Sequence, residues 1–495
     1  MLHTTFVRHG NWLSFVAGLA LPFAFAPFGQ FWLVPLLLAL LVATWDEATP
    51  RQAAWRGFLF GFGAFLFGTH WLYVSLHVFG KAPLLLAIPL MAALMALMAA
   101  YTAAVGYLVT RFVPRGGWRW LIAIPATWVL AEWLRSWVLT GFPWLSLGYT
   151  TTDSPLAGWI PLGGVFAASL AMAVSAGAIR ALFEPRLRLL AAAVLLSMWA
   201  GGFALQQVAW TNATERELQV SLIQGAIPQD RKWLPEELIP TMRLYRDRTV
   251  ENWDSDLIVW PEAAIPAWRS SLSEFFDSMR EQGQQTDTGI VVGVIEYDLD
   301  DNAAYNGVVG LDETVTTYYK RHLVPFGEYF PVPSFIREWM RLQSLPHSDY
   351  TPGGDDQSPL LVAGEPIAAS ICYEDVFGNE LRMMLPAATL LVNVSNDAWF
   401  GESIAPHQHL QIARVRAIEA GRYLLRSTNT GLTAVIGPRG HIESQIPQFE
   451  TTVLTTRVRP FTGATPYVRF GDWPVVVLVL AGMVVAGLGA RRRRA

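Results

Sequence analysis

The chain has 495 residues but only one cysteine, and charged residues are scarce in it. One cysteine excludes any disulfide within the chain, so no covalent cross-link holds the fold together. Charged residues make up 15% of the sequence, whereas hydrophobic residues make up 52%. Soluble globular domains carry about 25% charged residues. The composition therefore excludes an ordinary soluble protein and indicates a membrane protein.

Charge is scarcest in the first part of the chain. Residues 1–210 contain five acidic residues and eleven lysines or arginines. Seven apolar segments in this region are long enough, or nearly so, to cross about 30 Å of hydrocarbon as helices, and an eighth lies near the C-terminus. We therefore predict eight membrane spans, at residues 11–28, 31–45, 57–76, 83–110, 120–141, 155–179, 189–208 and 473–490.

Positive charge alternates between the loops that join these spans. Arginines follow the second, fourth and sixth spans, and Arg491 to Arg494 end the chain. Short basic loops stay on the cytoplasmic side of a membrane. Both termini are therefore predicted to be cytoplasmic, and the long segment between the seventh and eighth spans is predicted to lie on the opposite face. In a bacterial inner membrane that face is the periplasm.

Residues 211–470 have a different sequence pattern from the rest of the chain. Short β-rich runs such as DLIVWPE (256–262) and TLLVNVSND (389–397) are bounded by turn residues and alternate with helical patterns. Several runs are continuously apolar, as expected of strands that are covered on both faces. We predict three regions: a seven-helix transmembrane domain (1–210), an α/β catalytic domain (211–470), and an eighth transmembrane helix with a basic tail (471–495).

Three polar residues stand where apolar runs of the α/β region stop. They are Glu262 in VWPEAAIP, Lys320 in YYKRHLVPFGEYFP and Cys372 in SICYEDVFG. Side chains at strand ends project from a sheet into a common crevice. From residue type alone, a glutamate or a lysine at a strand end is more often a solvated rim residue, and a free cysteine is usually a small buried residue.

A carboxylate, an ammonium and a thiol in one crevice suggest three different catalytic roles. A thiol near its free pKa is mostly protonated at neutral pH, so Glu262 would accept its proton as a general base. Lys320 would favour the thiolate and stabilise the oxyanion that forms on an attacked carbonyl. The residues thus predict acyl transfer through a thioester on Cys372.

The motifs resemble a known signature. WPE, YYKRHLVPFGEY, CYE and NVSNDAWFG look like the Glu-Lys-Cys pattern of the nitrilase superfamily. Together with the eight predicted spans, they resemble the apolipoprotein N-acyltransferases over essentially the whole chain. The resemblance implies a nitrilase-like α-β-β-α sandwich joined to an α-helical transmembrane bundle. It also implies that Glu262 is the base, Lys320 the oxyanion-stabilising cation and Cys372 the nucleophile.

The resemblance implies further residues that support catalysis or bind substrate. For one of them, Trp233, a packed or interfacial aromatic side chain is an equally good interpretation. These residues are Trp233, Asn306, Glu328, Tyr373 and Glu374.

The implied reaction takes an acyl chain from the sn-1 position of a phospholipid, typically phosphatidylethanolamine, onto the thiol. The thioester is then aminolysed by the N-terminal amine of a diacylglyceryl-modified apolipoprotein. The nearest alternative is a membrane-tethered amidase of the nitrilase type, in which water resolves the thioester and a carbon–nitrogen bond is hydrolysed. A transporter or receptor is a more distant alternative, because the predicted spans carry few charges.

Other ligands are not expected from the sequence. His407 and His409 with Glu402 suggest a metal site, but residues two apart on a helix point in different directions, so we predict no metal and no cofactor. Residues 211–490 carry thirty-five acidic against twenty-one basic residues, which argues against nucleic acid. The apolar segments 331–346 and 397–410 are predicted either to lie against membrane lipid or to pack internally.

Overall fold

The computed structural model describes residues 2–329 and 350–492, so the segment 331–346 lies outside the described residues. The chain forms two compact units. The first comprises Met1–Tyr73, Leu84–Ala209 and Arg469–Ala495, and the second comprises Val74–Pro83 and Trp210–Val468.

The first unit is helical. Three of its segments are long and apolar enough to cross a membrane, namely Leu84–Phe112, Pro155–Ala181 and Arg188–Gln206, while Leu33–Trp45 and Trp473–Gly489 are apolar but shorter. Its helices are α1 (Leu2–Ala20), α2 (Leu33–Trp45), α3 (Pro50–Gly68), α4 (Leu84–Phe112), α5 (Ile124–Arg135), α6 (Ile160–Ala181) and α7 (Arg188–Gln206), with Trp473–Arg492 near the C-terminus.

Local signals set helix ends that hydropathy did not predict. The segment 57–76 was predicted as one span, but α3 begins seven residues earlier, at Pro50, and ends at Gly68. Thr49 accepts a hydrogen bond from the main-chain N–H of Gln52, whose side chain accepts one in return from the N–H of Thr49. This capping box satisfies two N–H groups of the first turn and so fixes the start of the helix.

The second unit contains two six-stranded sheets. Their orders are β13, β2, β3, β4, β5, β6 and β12, β11, β10, β9, β8, β7, and β1 pairs separately with β14. The strands are β1 (Thr211–Ala213), β2 (Leu218–Gln224), β3 (Leu257–Val259), β4 (Gly289–Asp298), β5 (Ala303–Leu311), β6 (Thr316–Tyr319), β7 (Leu360–Val362), β8 (Glu365–Ile371), β9 (Leu390–Ser395), β10 (Leu424–Thr428), β11 (Ala434–Ile436), β12 (Ile442–Gln445), β13 (Thr452–Val458) and β14 (Phe461–Gly463).

Helices cover the outer face of each sheet. Those of this unit are α8 (Leu238–Val250), α9 (Ser273–Thr286), α10 (Gly378–Leu381) and α11 (Ala405–Ala420), and the chain passes into the first unit within α12 (Pro466–Phe470). Ile258 on β3 packs outward in one apolar cluster with Tyr245 of α8 and Phe276 of α9. Its neighbours on the strand point inward to a larger cluster shared with the second sheet. The layers are helix, sheet, sheet, helix, in agreement with the α-β-β-α sandwich expected from the motifs.

The parallel strands position the polar strand ends. β2, β3 and β4 run parallel in one sheet, and β8, β9 and β10 run parallel in the other. Parallel strands place their carboxyl ends at one edge of a sheet, where ligands usually bind. The run LLRSTNTGLTAVIG (424–437) forms two strands, β10 and β11, which pair antiparallel.

Part of the segment 397–410 packs within the second unit. The Ser75 hydroxyl donates to the main-chain oxygen of Trp399 at 2.9 Å. The rings of Phe79 and Trp399 meet edge to face with centroids 6.3 Å apart. Trp399 nevertheless remains 40% exposed. Packing within the second unit therefore covers part of the Trp399 side chain, and the rest of the side chain is exposed.

Candidate active site

Glu262 lies three residues beyond β3 and is 8% exposed. Its Oε1 accepts a hydrogen bond from Asn306 Nδ2 at 2.8 Å and lies 3.6 Å from Lys320 Nζ. Its Oε2 accepts the main-chain N–H of Asn396 at 2.8 Å. Both oxygens are thus held by donors from different strands, which fixes the orientation of the carboxylate.

Lys320 follows β6 directly and is 1% exposed. Its main-chain N–H donates to the oxygen of Asn306 at 2.8 Å, and its Nζ lies 2.8 Å from Glu328 Oε1. Burial lowers the pKa of the Lys320 ammonium, but the charges of Glu328 and Glu262 outweigh burial and raise it above its ordinary value. Lys320 is therefore a fixed positive charge at neutral pH.

Asn306 and Glu328 complete the surroundings of the lysine. The Asn306 amide also donates to Glu328 Oε1, at 3.0 Å, so it bridges the two carboxylates. Glu328 Oε2 accepts the main-chain N–H of Val324 at 2.7 Å. The structure thus brings Glu262, Lys320, Asn306 and Glu328 into direct contact.

Cys372 follows β8 and is partly buried. Its backbone has a φ of 51°, in the left-handed region, which costs an L-residue about 1 to 2 kcal/mol. Burial raises the pKa of the Cys372 thiol, Glu262 raises it further, and Lys320 opposes them. The resting thiol is therefore protonated at neutral pH, and it needs a base to become a nucleophile.

Glu374 joins the cysteine turn to the lysine segment. Its Oε2 accepts the main-chain N–H of Ile371 at 2.7 Å. Its Oε1 accepts the main-chain N–H of Arg321 at 2.7 Å and the Tyr318 hydroxyl at 2.9 Å. Burial raises the pKa of Glu374 to about 7, although Lys320 and the N–H groups of Ile371 and Arg321 oppose it. Glu374 therefore acts on the geometry of the site through its neighbours.

Tyr373 and Trp233 lie at more open positions. The Tyr373 ring meets Phe377 edge to face at 5.2 Å and His322 at 6.0 Å. Trp233 is 48% exposed. A large exposed aromatic beside a crevice suits contact with an apolar ligand.

Sequence reasoning missed Lys232, the neighbour of Trp233. It is 1% exposed, and its Nζ donates to the main-chain oxygen of Glu262 at 3.2 Å. Burial lowers the pKa of Lys232 to about 8, although Glu262 opposes this. Because a lysine next to a tryptophan in a turn looks like a surface residue, the sequence carries no signal of its burial.

The second missed group follows β9. Ser395, Asn396 and Asp397 are buried there, at the same kind of strand end that pointed to Cys372. The Ser395 hydroxyl donates to Asp397 Oδ1 at 2.9 Å and also lowers the pKa of the Cys372 thiol. The strand-end criterion could have identified these residues, because the β-rich run TLLVNVSND (389–397) ends in the polar residues Ser395, Asn396 and Asp397.

His409 does not face a metal-binding group. Its Nδ1 lies 3.0 Å from Asp397 Oδ1 and its Nε2 lies 2.8 Å from Asp375 Oδ1. Within residues 2–329 and 350–492 there is no group of three or more His, Cys, Asp or Glu side chains that could hold a metal ion.

The arrangement can carry out acyl transfer. A carboxylate with fixed orientation, a permanent ammonium and a protonated thiol lie within electrostatic reach of one another. Such a set can deprotonate the thiol, stabilise an oxyanion and hold an acyl group as a thioester.

Known proteins share both parts of the chain. Residues 17–178 match the family described as "Apolipoprotein N-acyltransferase N-terminal domain", and residues 219–467 match the family "Carbon-nitrogen hydrolase". A protein of Methylococcus capsulatus named apolipoprotein N-acyltransferase is 43% identical, and the alignment covers 98% of this chain and 96% of that protein. A protein of Vibrio cholerae with the same name is 40% identical, with coverage of 97% and 96%.

A solved structure of a carbon-nitrogen hydrolase from Helicobacter pylori aligns with a TM-score of 0.38 at 14% identity. The alignment covers 49% of this chain and 89% of that one.

The role of Glu374 can be tested by removing its carboxylate. Glu374→Ala leaves the buried N–H groups of Ile371 and Arg321 without an acceptor, which costs about 1 to 3 kcal/mol each. Tyr318→Phe removes only one hydrogen bond, worth about 1 kcal/mol. We expect the melting temperature of the whole chain in detergent to fall by several degrees more for Glu374→Ala than for Tyr318→Phe. Equal melting temperatures would contradict this role.

Proposed function

The chain belongs to the apolipoprotein N-acyltransferase family, and from this membership we propose that it moves an acyl chain from a phospholipid, through a thioester on Cys372, to the N-terminal amine of an apolipoprotein. The observation that carries the mechanism is the contact of Lys320 with Glu262 and Glu328 beside a protonated thiol. The donor is a phospholipid of the phosphatidylethanolamine type, and the acceptor is a diacylglyceryl-modified apolipoprotein.

In the first half of the reaction, Glu262 takes the proton of the Cys372 thiol. The sulfur attacks the carbonyl carbon of the sn-1 ester, and Lys320 stabilises the negative charge that develops on the carbonyl oxygen. The carbon–oxygen bond then breaks, and the leaving alkoxide takes the proton from Glu262. The products are the acyl thioester and a lysophospholipid.

In the second half, the N-terminal amine of the apolipoprotein attacks the thioester. Glu262 accepts a proton from the attacking nitrogen, and Lys320 again stabilises the oxyanion. The carbon–sulfur bond breaks, the sulfur leaves and is reprotonated, and an amide is formed. Over both halves an ester and an amine give an amide and an alcohol, so the enzyme returns to its starting state.

Supporting residues divide between positioning and substrate contact. Asn306 and Glu328 hold the lysine and the base in place, as their hydrogen bonds of 2.8–3.0 Å suggest. Trp233 and Tyr373, which are exposed or partly exposed, contact the acyl chains or the acceptor.

The acyl-enzyme can be detected directly. The purified chain incubated with a labelled phospholipid should gain the mass of one acyl group on Cys372, since the thioester waits for an amine. A diacylated lipopeptide should release it as an amide. Cys372→Ser serves as the control of similar size and should carry no thioester.

Three outcomes would contradict the proposal. One is the absence of an adduct on the wild-type chain, and another is an adduct that persists without the cysteine. The third is release of free fatty acid at the same rate with and without lipopeptide, which would instead support the amidase-like alternative in which water resolves the thioester.

We further propose that the chain crosses a bacterial inner membrane eight times, with residues 1–210 supplying seven spans and 471–495 the eighth. The catalytic domain, 211–470, then lies in the periplasm and both termini lie in the cytoplasm. The basic residues Arg491 to Arg494 and the basic loops after alternate spans support this orientation. A catalytic domain anchored to the membrane suits an enzyme whose two substrates are both anchored in lipid.

Reporter fusions test this topology. Alkaline phosphatase is active only in the periplasm, so a fusion at Ala495 should be inactive, whereas a chain cut after Ala209 and fused there should be active. Green fluorescent protein at Ala495 should fluoresce, because it folds in the cytoplasm. Phosphatase activity at Ala495 would contradict the eight-span arrangement.

A further inference from the structure

A cluster of four charged residues contacts the main chain of Cys372 through His409. The buried ionic cluster comprises Asp375, Asp397, His409 and Arg426, and each is at most 1% exposed. Arg426 Nη1 lies 3.1 Å from Asp375 Oδ2, and its Nη2 lies 3.0 Å from Asp397 Oδ2. The acyl-transfer steps use none of these four side chains.

The imidazole of His409 connects the cluster to the cysteine. Its Nε2 lies 2.8 Å from Asp375 Oδ1 and 3.2 Å from the main-chain oxygen of Cys372. Both of these atoms can only accept a hydrogen bond, so Nε2 carries a proton and donates to them.

The proton on Nε2 is retained whatever the charge of the ring. Nδ1 lies 3.0 Å from Asp397 Oδ1 and 2.8 Å from Arg426 Nη2, so it can donate to the aspartate or accept from the arginine. Burial and Arg426 lower the pKa of His409, but Asp375 and Asp397 outweigh them and raise it to about 9. Titration of the imidazole therefore adds or removes the proton on Nδ1. Nε2 stays protonated and remains a donor in both states.

The main-chain oxygen that receives this donor belongs to a strained residue. Cys372 has a φ of 51°, and such a conformation persists only where its surroundings enforce it. Asn393 Nδ2 approaches the same oxygen at a longer distance, 3.4 Å. The Asn393 side-chain oxygen in turn accepts from Arg426. The contacts to the carbonyl of the nucleophile therefore lead back to the buried ionic cluster.

The same cluster reaches the sulfur. Ser395 donates to Asp397 Oδ1 at 2.9 Å, and Ser395 and Asp397 both shift the pKa of the Cys372 thiol, in opposite directions. The main-chain oxygen of Cys372 is thus hydrogen-bonded by groups that are themselves fixed by ion pairs, and its thiol lies within the electrostatic influence of the same cluster.

We propose that His409 is a positioning residue for acyl transfer, whose Nε2–H holds the carbonyl of Cys372 and so keeps the sulfur within reach of Glu262 and Lys320. The inference rests on the proposed function, because positioning has meaning only if Cys372 is the nucleophile. A misplacement of about 1 Å can cost a factor of about one hundred in rate.

Stability alone does not account for such a cluster. Taking four charges out of water is costly, and well-packed apolar residues of similar volume are often as stable or more so. A directional hydrogen bond to the carbonyl of Cys372 is something that apolar residues could not supply. The cluster therefore contributes geometry that an apolar core would lack.

Two substitutions of His409 distinguish the effect of its hydrogen bond to Cys372 from the effects of its charge and size. The side-chain nitrogen of glutamine falls near the position of Nε2, and that of asparagine falls near Nδ1. His409→Gln therefore keeps a donor toward the Cys372 oxygen, and His409→Asn removes it. His407→Asn is the matched control, since His407 lies on the same helix and is only partly buried.

The rate of acyl-enzyme formation on Cys372 is measured in a single turnover over a range of phospholipid concentrations. We expect His409→Asn to lower the maximal rate by about 10- to 100-fold with little change in the half-saturating concentration, because the phospholipid site is intact. His409→Gln should recover most of the rate, and His407→Asn should match the wild type. Thermal unfolding is followed in parallel.

The outcomes are distinguishable. Wild-type rates in His409→Asn, equal losses in both His409 variants, or a change confined to the half-saturating concentration would overturn the positioning role. If either His409 variant fails to fold, His409 is needed for stability, and the positioning role is overturned as well. Absence of the acyl-enzyme in the wild-type chain would instead overturn the proposed function.

Discussion

The site depends on the burial of one ammonium, that of Lys320, between two carboxylates. A lysine that is 1% exposed would lose its charge without such partners, but Glu262 and Glu328 lie 3.6 and 2.8 Å from its Nζ and keep it charged. The lysine in turn makes it possible to bury two carboxylates side by side. Asn306, which donates to both, fixes their separation. Removing any one of the four would leave an unpaired charge or an unsatisfied carboxylate, so the base and the cation of the proposed mechanism are defined together.

Two separate constraints act on Cys372. On one side, burial and Glu262 raise the pKa of the Cys372 thiol, which keeps it protonated at neutral pH. On the other side, His409 and Asn393 hold its carbonyl in a strained turn. The thiolate is the form that oxidants attack, so a protonated resting thiol is protected. That protection matters in the oxidising periplasm, where we propose the domain lies and where the chain has no second cysteine to pair with.

Much of the fold could be predicted from the sequence, since apolar segments and β-rich runs respond to local rules. The strand-end residues Glu262, Lys320 and Cys372 were also visible, but residue type alone favoured solvated rim positions for the glutamate and the lysine, and it was the resemblance of the motifs that assigned them catalytic roles. Pairings between residues far apart in the chain could not be predicted. His409 looked like a weak metal ligand, yet its partner Asp375 lies thirty-four residues away. Lys232 gave no sign of burial, because only the packed sheet brings its ammonium to the main chain of Glu262.

The central claim is that Glu262 activates the thiol, and the most direct test is the rate of each half-reaction in Glu262→Gln. The amide keeps the shape of the side chain but cannot take a proton, and general bases contribute about a hundredfold or more to rate. We expect thioester formation from phospholipid and aminolysis by a lipopeptide both to slow by about this factor, while Glu402→Gln, at an exposed carboxylate, changes neither. Wild-type rates of both steps in Glu262→Gln would exclude Glu262 as the base.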